Sequence, residues 1–183
     1  MAAFNRDLDA SLDALHPNAR EFLDQSLRQG TQTFGHLFND RHQLIGRLQR
    51  RIEETITCYI SGLRADAAHP FLSRRRQGFR FVGSWSSRLC DRGFHINHIH
   101  PEGWISSCYY VAVPPMVEDA AAQQGWLKLG EPAYEVDLKR PVRRTIQPKP
   151  GTLVLFPSYL WHGTTPFHAE QRRTTIAFDV LPS

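Results

Sequence analysis

His98 and His100 stand two residues apart in GFHINHIHPEGWISSCYYVAVPP, just ahead of a β-rich run. In an extended chain residues i and i+2 project from one face, close enough for two imidazoles to share one metal ion. A third donor has to come from elsewhere, and GTLVLFPSYLWHGTTPF supplies His162 after an apolar strand, a Pro-Ser turn and a short loop. Two antiparallel strands facing each other across a barrel mouth would close the triad His98, His100, His162. Three protein ligands on one side leave coordination positions open, as a catalytic metal needs and a structural one does not. Nine histidines make chance pairs common, so the pair gains weight from what lies further along the chain.

The segment RTTIAFDV puts Arg173, Thr175 and Ala177 on one strand face and Ile176 and Phe178 on the other. An arginine aimed into a barrel is costly unless an anion meets it. A dicarboxylate chelating the metal at one end and meeting a guanidinium at the other supplies that anion. Arg172 competes for the role, and register decides which of the two points inward. In a regular strand His95 and Asn97 are out of phase with the histidine pair and read as structural or as supporting the ligands from behind. Asp91 and Glu102 offer a carboxylate ligand only if the loop bends.

The elements that position these residues are legible in the patterning. At 183 residues and 21.0 kDa the chain fits one domain with a sizeable core. Phe4, Leu8, Leu12 and Leu15 recur at helical spacing until His16-Pro17-Asn18 breaks the pattern. The stretch from Glu21, rich in Gln, Thr and Gly, reads as an ordered loop, and its part from Asp24 to Thr33 is a candidate cover for the barrel mouth. Leu44, Leu48, Ile52, Ile56, Ile60 and Leu63 then mark an amphipathic helix. After about residue 78 the runs FRFVGSW, WISSCYYVAV, GTLVLF and TTIAFDVL are short, β-branched and aromatic. The expected layout is an N-terminal helical part over 1–66 and a β core over 78–183, with the helices outside one curved sheet or barrel.

Charge and cysteine usage set outer bounds. A formal net charge of +4 spread along the chain does not demand nucleic acid as a partner. The clusters Arg74-Arg75-Arg76 and Lys139 to Arg144 read as solvated loops or strand faces, with a slight tilt toward a negatively charged substrate. Cys58, Cys90 and Cys108 lack the paired spacing of a zinc knuckle or redox dithiol and read as free thiols. With no apolar stretch suited to secretion or to spanning a bilayer, a cytoplasmic protein without a membrane partner is expected. No heptad or exposed apolar stripe fixes the oligomeric state, and a homodimer is compatible with the sequence.

Several segments together resemble the 2-oxoglutarate/iron(II) oxygenases found as free-standing domains or attached to tetratricopeptide-repeat proteins. They are DQSLRQGTQT, HPFL, GSWSSRL, GFHINHIHPEGWISSCYYVAVP, GWLKLGEP, PGTLVLFPSYLWHGTTPF and RTTIAFDVLP. The resemblance implies a double-stranded β-helix, a cupin-like jelly-roll, with flanking helices. It implies Fe(II) at His98, His100 and His162, and 2-oxoglutarate as cosubstrate held by Arg173 with Thr175. The implied reaction is oxidative decarboxylation of 2-oxoglutarate to succinate, coupled through dioxygen to hydroxylation of an unactivated C–H bond in a small molecule or peptide. The wider superfamily uses His-x-Asp or His-x-Glu plus a distal His, so His100 occupies the carboxylate's place. Three neutral imidazoles would leave the ion's charge uncompensated and favour an anionic cosubstrate. Because His100 fills that position, hydroxylation is expected over halogenation.

Trp85, Trp104, Tyr109, Tyr110 and Trp161 are candidates for the aromatic walls of a dry pocket, and each reads equally as ordinary core packing. Tyr109 and Tyr110 point to opposite strand faces, so one of them at most meets the cosubstrate; the sequence does not say which, and Tyr109 is taken as the candidate. Two rival readings keep the same histidines. A three-histidine iron site on a jelly-roll also resembles thiol dioxygenases, which need no 2-oxoglutarate, and a non-catalytic module could hold zinc or nickel there. The substrate's identity is not written in these residues.

Overall fold

The computed structural model describes residues 1–16, 25–133 and 140–183. Its frame is two antiparallel sheets. Strands β1 (Leu27–Gln32), β2 (Phe79–His95), β8 (Arg173–Pro182), β3 (Ile105–Ala112) and β6 (Leu153–Pro157) form one sheet, in the order β1-β2-β8-β3-β6. The smaller sheet has the order β5-β4-β7, from Arg144–Ile146, Leu127–Leu129 and His162–Thr164. Non-consecutive strands lie side by side in both, as in the jelly-roll form of a double-stranded β-helix.

Helix α1 (Ala2–Leu12) and helix α2 (Gln43–Gly62) cover the outer face of the larger sheet. Their apolar stripes bury Leu8, Leu12, Ile45, Leu48, Ile52, Ile56 and Ile60 against Tyr109, Val111, Ile176, Phe178 and Val180. Alternation in β8 explains this division. Ile176, Phe178 and Val180 enter the helical layer, which turns Arg173, Thr175, Ala177 and Asp179 toward the inner face. A polar anchor ties α1 to the sheet: Arg88, 3% exposed, pairs with the carboxylates of Asp9 and Asp13.

The segment from Glu21, expected as a loop, contributes β1, which pairs with β2 as an edge strand. Its polar composition concealed it, and its register breaks at a bulge between Arg28 and Gly30. Gly30 is required there because a Cβ would sit 2.2 Å from the Arg88 carbonyl oxygen. Asp24 and Lys139, the starting residues of two segments noted above, lie outside the described residues. Arg74, Arg75 and Arg76 each donate to backbone carbonyls, Arg75 to Ile60 at the end of α2. No helix among the described residues is long and apolar enough to cross a membrane.

Candidate metal and cosubstrate site

Strand β2 ends at His95, and the chain then runs antiparallel to the stretch from Ser158 to His162. His98 and His162 form a bridge in which each backbone N–H donates to the other's carbonyl, at 2.9 and 3.0 Å. Two residues on, His100 N–H donates to the Ser158 carbonyl at 2.9 Å. Directly opposed residues send their side chains to one side, so this pairing delivers His162 to the face that His98 and His100 share. The ring centroids lie 4.2 Å apart for His98 and His162, and 5.1 Å for His100 with either. One ligand atom from each of the three falls within 4.8 Å of the other two.

The outer nitrogen of every ring is engaged. His98 Nδ1 lies 2.7 Å from the Ile96 carbonyl oxygen and His162 Nδ1 2.9 Å from that of Leu160. His100 Nδ1 lies 2.6 Å from Asp179 Oδ2. These acceptors fix the tautomer, with hydrogen on Nδ1, and turn the Nε2 lone pairs inward toward a shared ion, with Ser26 Oγ 3.4 Å from His98 Nε2 as a donor to that lone pair. Burial lowers His98 to about 4 and His162 to about 3, with the neighbouring imidazoles adding to the effect on both. Both rings are therefore neutral at neutral pH, as metal ligation requires. Three convergent imidazoles fit a first-row ion such as iron, zinc, nickel or copper.

A cavity of about 360 Å³ runs between the two sheets beside the triad. Trp85, Ser87, Thr175 and Ala177 line it from the large sheet, Leu127 and Thr164 from the small one, and Gln25, Ser26 and Gln32 from the β1 segment. Arg173 enters the same cavity while only 1% exposed. Its Nε donates to the Gly125 carbonyl at 3.1 Å and its guanidinium lies 5.2 Å from the Tyr110 ring centroid. Among the described residues it has no carboxylate partner. Arg172, by contrast, has a side chain 61% exposed and lies 3.9 Å from the Asp13 carboxylate.

Tyr109 is corrected by this arrangement. Its hydroxyl donates to Asn5 Oδ1 at 2.8 Å inside the helical layer, on the far side of the sheet from the cavity. Tyr110 takes the inner face and supports Arg173. Trp104 likewise faces the helical layer, donating to the Phe71 carbonyl, whereas Trp85 lies 5.7 Å from His100, centroid to centroid. His95 departs from the structural reading, because it lines the cavity beside the triad. Phase does not carry through to residue 100, because the chain leaves the strand after His95. Burial holds His95 well below the usual histidine range, with the Arg173 charge adding to it. Asn97 donates to Glu131 Oε2 at 2.8 Å, as a structural residue would. Asp91 faces His168 and Arg92, and Glu102 is exposed.

Asp179 escaped the sequence reading, although its alternation with Arg173, Thr175 and Ala177 was visible in RTTIAFDV. Among the described residues of the triad, His100 alone has a carboxylate behind its ring.

Comparison with known proteins follows the same lines. The chain superposes on a prolyl-4-hydroxylase from Pseudomonas putida with a TM-score of 0.64 at 13% identity, covering 100% of this chain and 88% of that one. It matches HygX from Streptomyces hygroscopicus, solved with nickel, 2-oxoglutarate and hygromycin B, with a TM-score of 0.65 at 12% identity over 100% and 80%. The 2-oxoglutarate-dependent epimerase SnoN from nogalamycin biosynthesis gives 0.66 at 9% identity over 100% and 75%. At such identities these likenesses show the shared jelly-roll alone. No curated protein matches the chain in sequence. The model of the 2OG-Fe(II) oxygenase family matches residues 83–179, which hold all three histidines and Arg173. With that match spanning more than half of its length, the chain belongs to the 2OG-Fe(II) oxygenase family.

Proposed function

We propose that this oxygenase is a 2-oxoglutarate-dependent iron(II) hydroxylase. His98, His100 and His162 hold Fe(II), and Arg173 with Thr175 holds the distal carboxylate of 2-oxoglutarate. Bound iron and cosubstrate supply the oxidising chemistry: dioxygen is consumed, 2-oxoglutarate leaves as succinate and CO2, and an unactivated C–H bond of the substrate is hydroxylated. The protein's own part is to orient and to keep the cavity dry. The observation that carries the reading is a buried guanidinium, without a carboxylate partner among the described residues, in the same cavity as the three converging imidazoles. A buried arginine of this kind calls for an anion, and a metal-chelating dicarboxylate satisfies both ends of the cavity.

In this reading Thr175, two residues from Arg173 on the same face and 3% exposed, donates its hydroxyl to that carboxylate. Trp85 forms an aromatic wall beside His100. The cavity's volume lies in the range of small-ligand sites, and a small molecule or an inserted peptide side chain is the expected substrate, with neither nucleic acid nor membrane involved. HygX and the prolyl hydroxylases act within the same fold, as does an epimerase; filling of the His100 position by an imidazole favours hydroxylation over halogenation. The three cysteines are free thiols, in keeping with a reducing, cytoplasmic setting.

The reading is tested by succinate release from 2-oxoglutarate in the presence of iron(II), oxygen and ascorbate, with or without a prime substrate. Wild type should turn over, His162→Ala should lose turnover with its metal ligand, and Arg173→Ala should lose at least about 100-fold, as expected for truncating one partner of a buried charge pair. Turnover indifferent to both substitutions would exclude this site.

A further inference from the structure

The three imidazoles are not equivalent. His98 and His162 lean on backbone carbonyls, whereas His100 leans on a carboxylate. Asp179 is itself held on both oxygens. Oδ2 lies 2.6 Å from His100 Nδ1, and Oδ1 accepts from Ser106 Oγ at 2.6 Å. The Ser106 hydroxyl has one hydrogen, which the charged acceptor claims. Ser158 Oγ, 2.9 Å away, is left to donate to Ser106 in turn. Ser106 and Ser158 are 1% and 0% exposed, and the side chain of Asp179 is 14% exposed.

The chain invests further in this corner. The Ser158 carbonyl accepts from the His100 backbone, so one residue supports His100 through both its main chain and its side chain. Gly103 passes so close that a Cβ would fall 2.4 Å from Ser158 Oγ. β8 therefore carries Arg173 near one end of its inner face and Asp179 near the other.

We propose that Asp179 is a positioning residue that locks His100 with Nε2 toward the ion, so that His100 and Asp179 together act as one anionic ligand through the imidazole. This rests on the reading above that His98, His100 and His162 form the metal site. A carboxylate accepting from the outer nitrogen of a ligating histidine fixes its orientation and raises its basicity, and removing such a partner weakens metal binding about 10- to 100-fold. The net charge at the ion then approaches that of a site with a direct carboxylate ligand, while the carboxylate itself stays out of the coordination sphere.

The test is a thermodynamic cycle read by cobalt(II) binding to the full chain, followed by visible absorption of the bound ion. Wild type should bind one cobalt, and His162→Ala should bind it far more weakly. Asp179→Asn should weaken binding about 10- to 100-fold and alter the absorption envelope. In a His100→Ala background, where binding rests on His98 and His162, the same Asp179→Asn change should have no further effect, because coupled residues are not additive. Ser106→Ala, which removes one support of the carboxylate and leaves its charge, should fall between wild type and Asp179→Asn, and it serves if Asp179→Asn fails to fold. Equal losses from Asp179→Asn in both backgrounds would reduce Asp179 to a structural residue and overturn the proposal, as would unchanged affinity in the wild-type background. If Asp179→Asn does not fold, unchanged affinity in Ser106→Ala would overturn it instead. If wild type binds no cobalt, or His162→Ala binds it equally well, the metal site falls first, and this proposal with it.

Discussion

His98 and His162 exchange both backbone hydrogen bonds, so the two ends of a long stretch of chain are pinned as an antiparallel pair at the point where their imidazoles meet. The geometry of the triad is thus set by main-chain pairing, with side-chain rotamers fixed secondarily by Ile96, Leu160 and Asp179. A site built this way is sensitive to small displacements of the backbone.

Gly163 is the point where such a displacement can be imposed. A Cβ there would fall 2.3 Å from Asn97 Oδ1 and 2.8 Å from the His95 carbonyl oxygen. Gly163→Ala should push the His95–Asn97 segment away from β7 and lower metal affinity about tenfold or more. Metal titration followed calorimetrically reads this directly.

Arg173 and Arg172 should separate cleanly. Arg173→Ala should raise the KM for 2-oxoglutarate at least about 100-fold, the scale for losing a buried charge partner, whereas Arg172→Ala should leave it within about twofold, as for a solvated surface charge. Equal effects would mean that the guanidinium facing Tyr110 does not meet the cosubstrate.

Arg88 offers a stability prediction remote from the site. Arg88→Met removes a buried guanidinium, a change that costs about 3–5 kcal/mol when the partner charges stay buried. Asp13 and Asp9 have side chains 65% and 35% exposed and can recover water, so about 2 kcal/mol is expected. For a chain of this size that lowers Tm by roughly 4–8 °C, visible by circular dichroism. Succinate formation well below Tm should be retained.

The apoprotein should lose stability in mild acid. Burial lowers His16 to about 4, with the Arg88 charge next in importance, and lowers His98 to about 4 and His162 to about 3. Below the unfolded value near 6.5 the unfolded chain takes up protons at these positions and the folded chain does not. Stability is then complete above about pH 6.5 and declines as pH falls toward 4, by up to roughly 1.4 kcal/mol per pH unit for each such histidine. Urea midpoints between pH 7.5 and 5 should fall accordingly, and His16→Gln should flatten the slope.

Much of this was readable from residue order, for identifiable reasons. Helix α2 carries its stripe at regular spacing, and β8 alternates without interruption, so the inner face of Arg173, Thr175 and Ala177 followed from phase alone. The triad's separation in sequence was bridged by two local signals, His-x-His and the strand ahead of His162. What failed was phase across irregular chain. Strand β2 stops at His95, which resets the count and turns that ring into the cavity. The choice between Tyr109 and Tyr110 depended on which face of β3 the helices cover, a tertiary fact. β1 was missed because edge strands can be polar throughout, and its bulge at Arg28–Gly30 breaks the alternation further. The role of Asp179 is not legible in sequence because its partner His100 lies 79 residues away and meets it only through the strand pairing.

The central claim is that three imidazoles and one buried guanidinium form a single site for iron(II) and 2-oxoglutarate. Anaerobic addition of both to the apoprotein, followed by visible absorption, tests it most directly. A metal-to-ligand charge-transfer band saturating at one iron per chain is expected in wild type, lost in His162→Ala and reached only at far higher 2-oxoglutarate in Arg173→Ala. No band in wild type at saturating concentrations, or an unchanged band in both variants, would contradict the account.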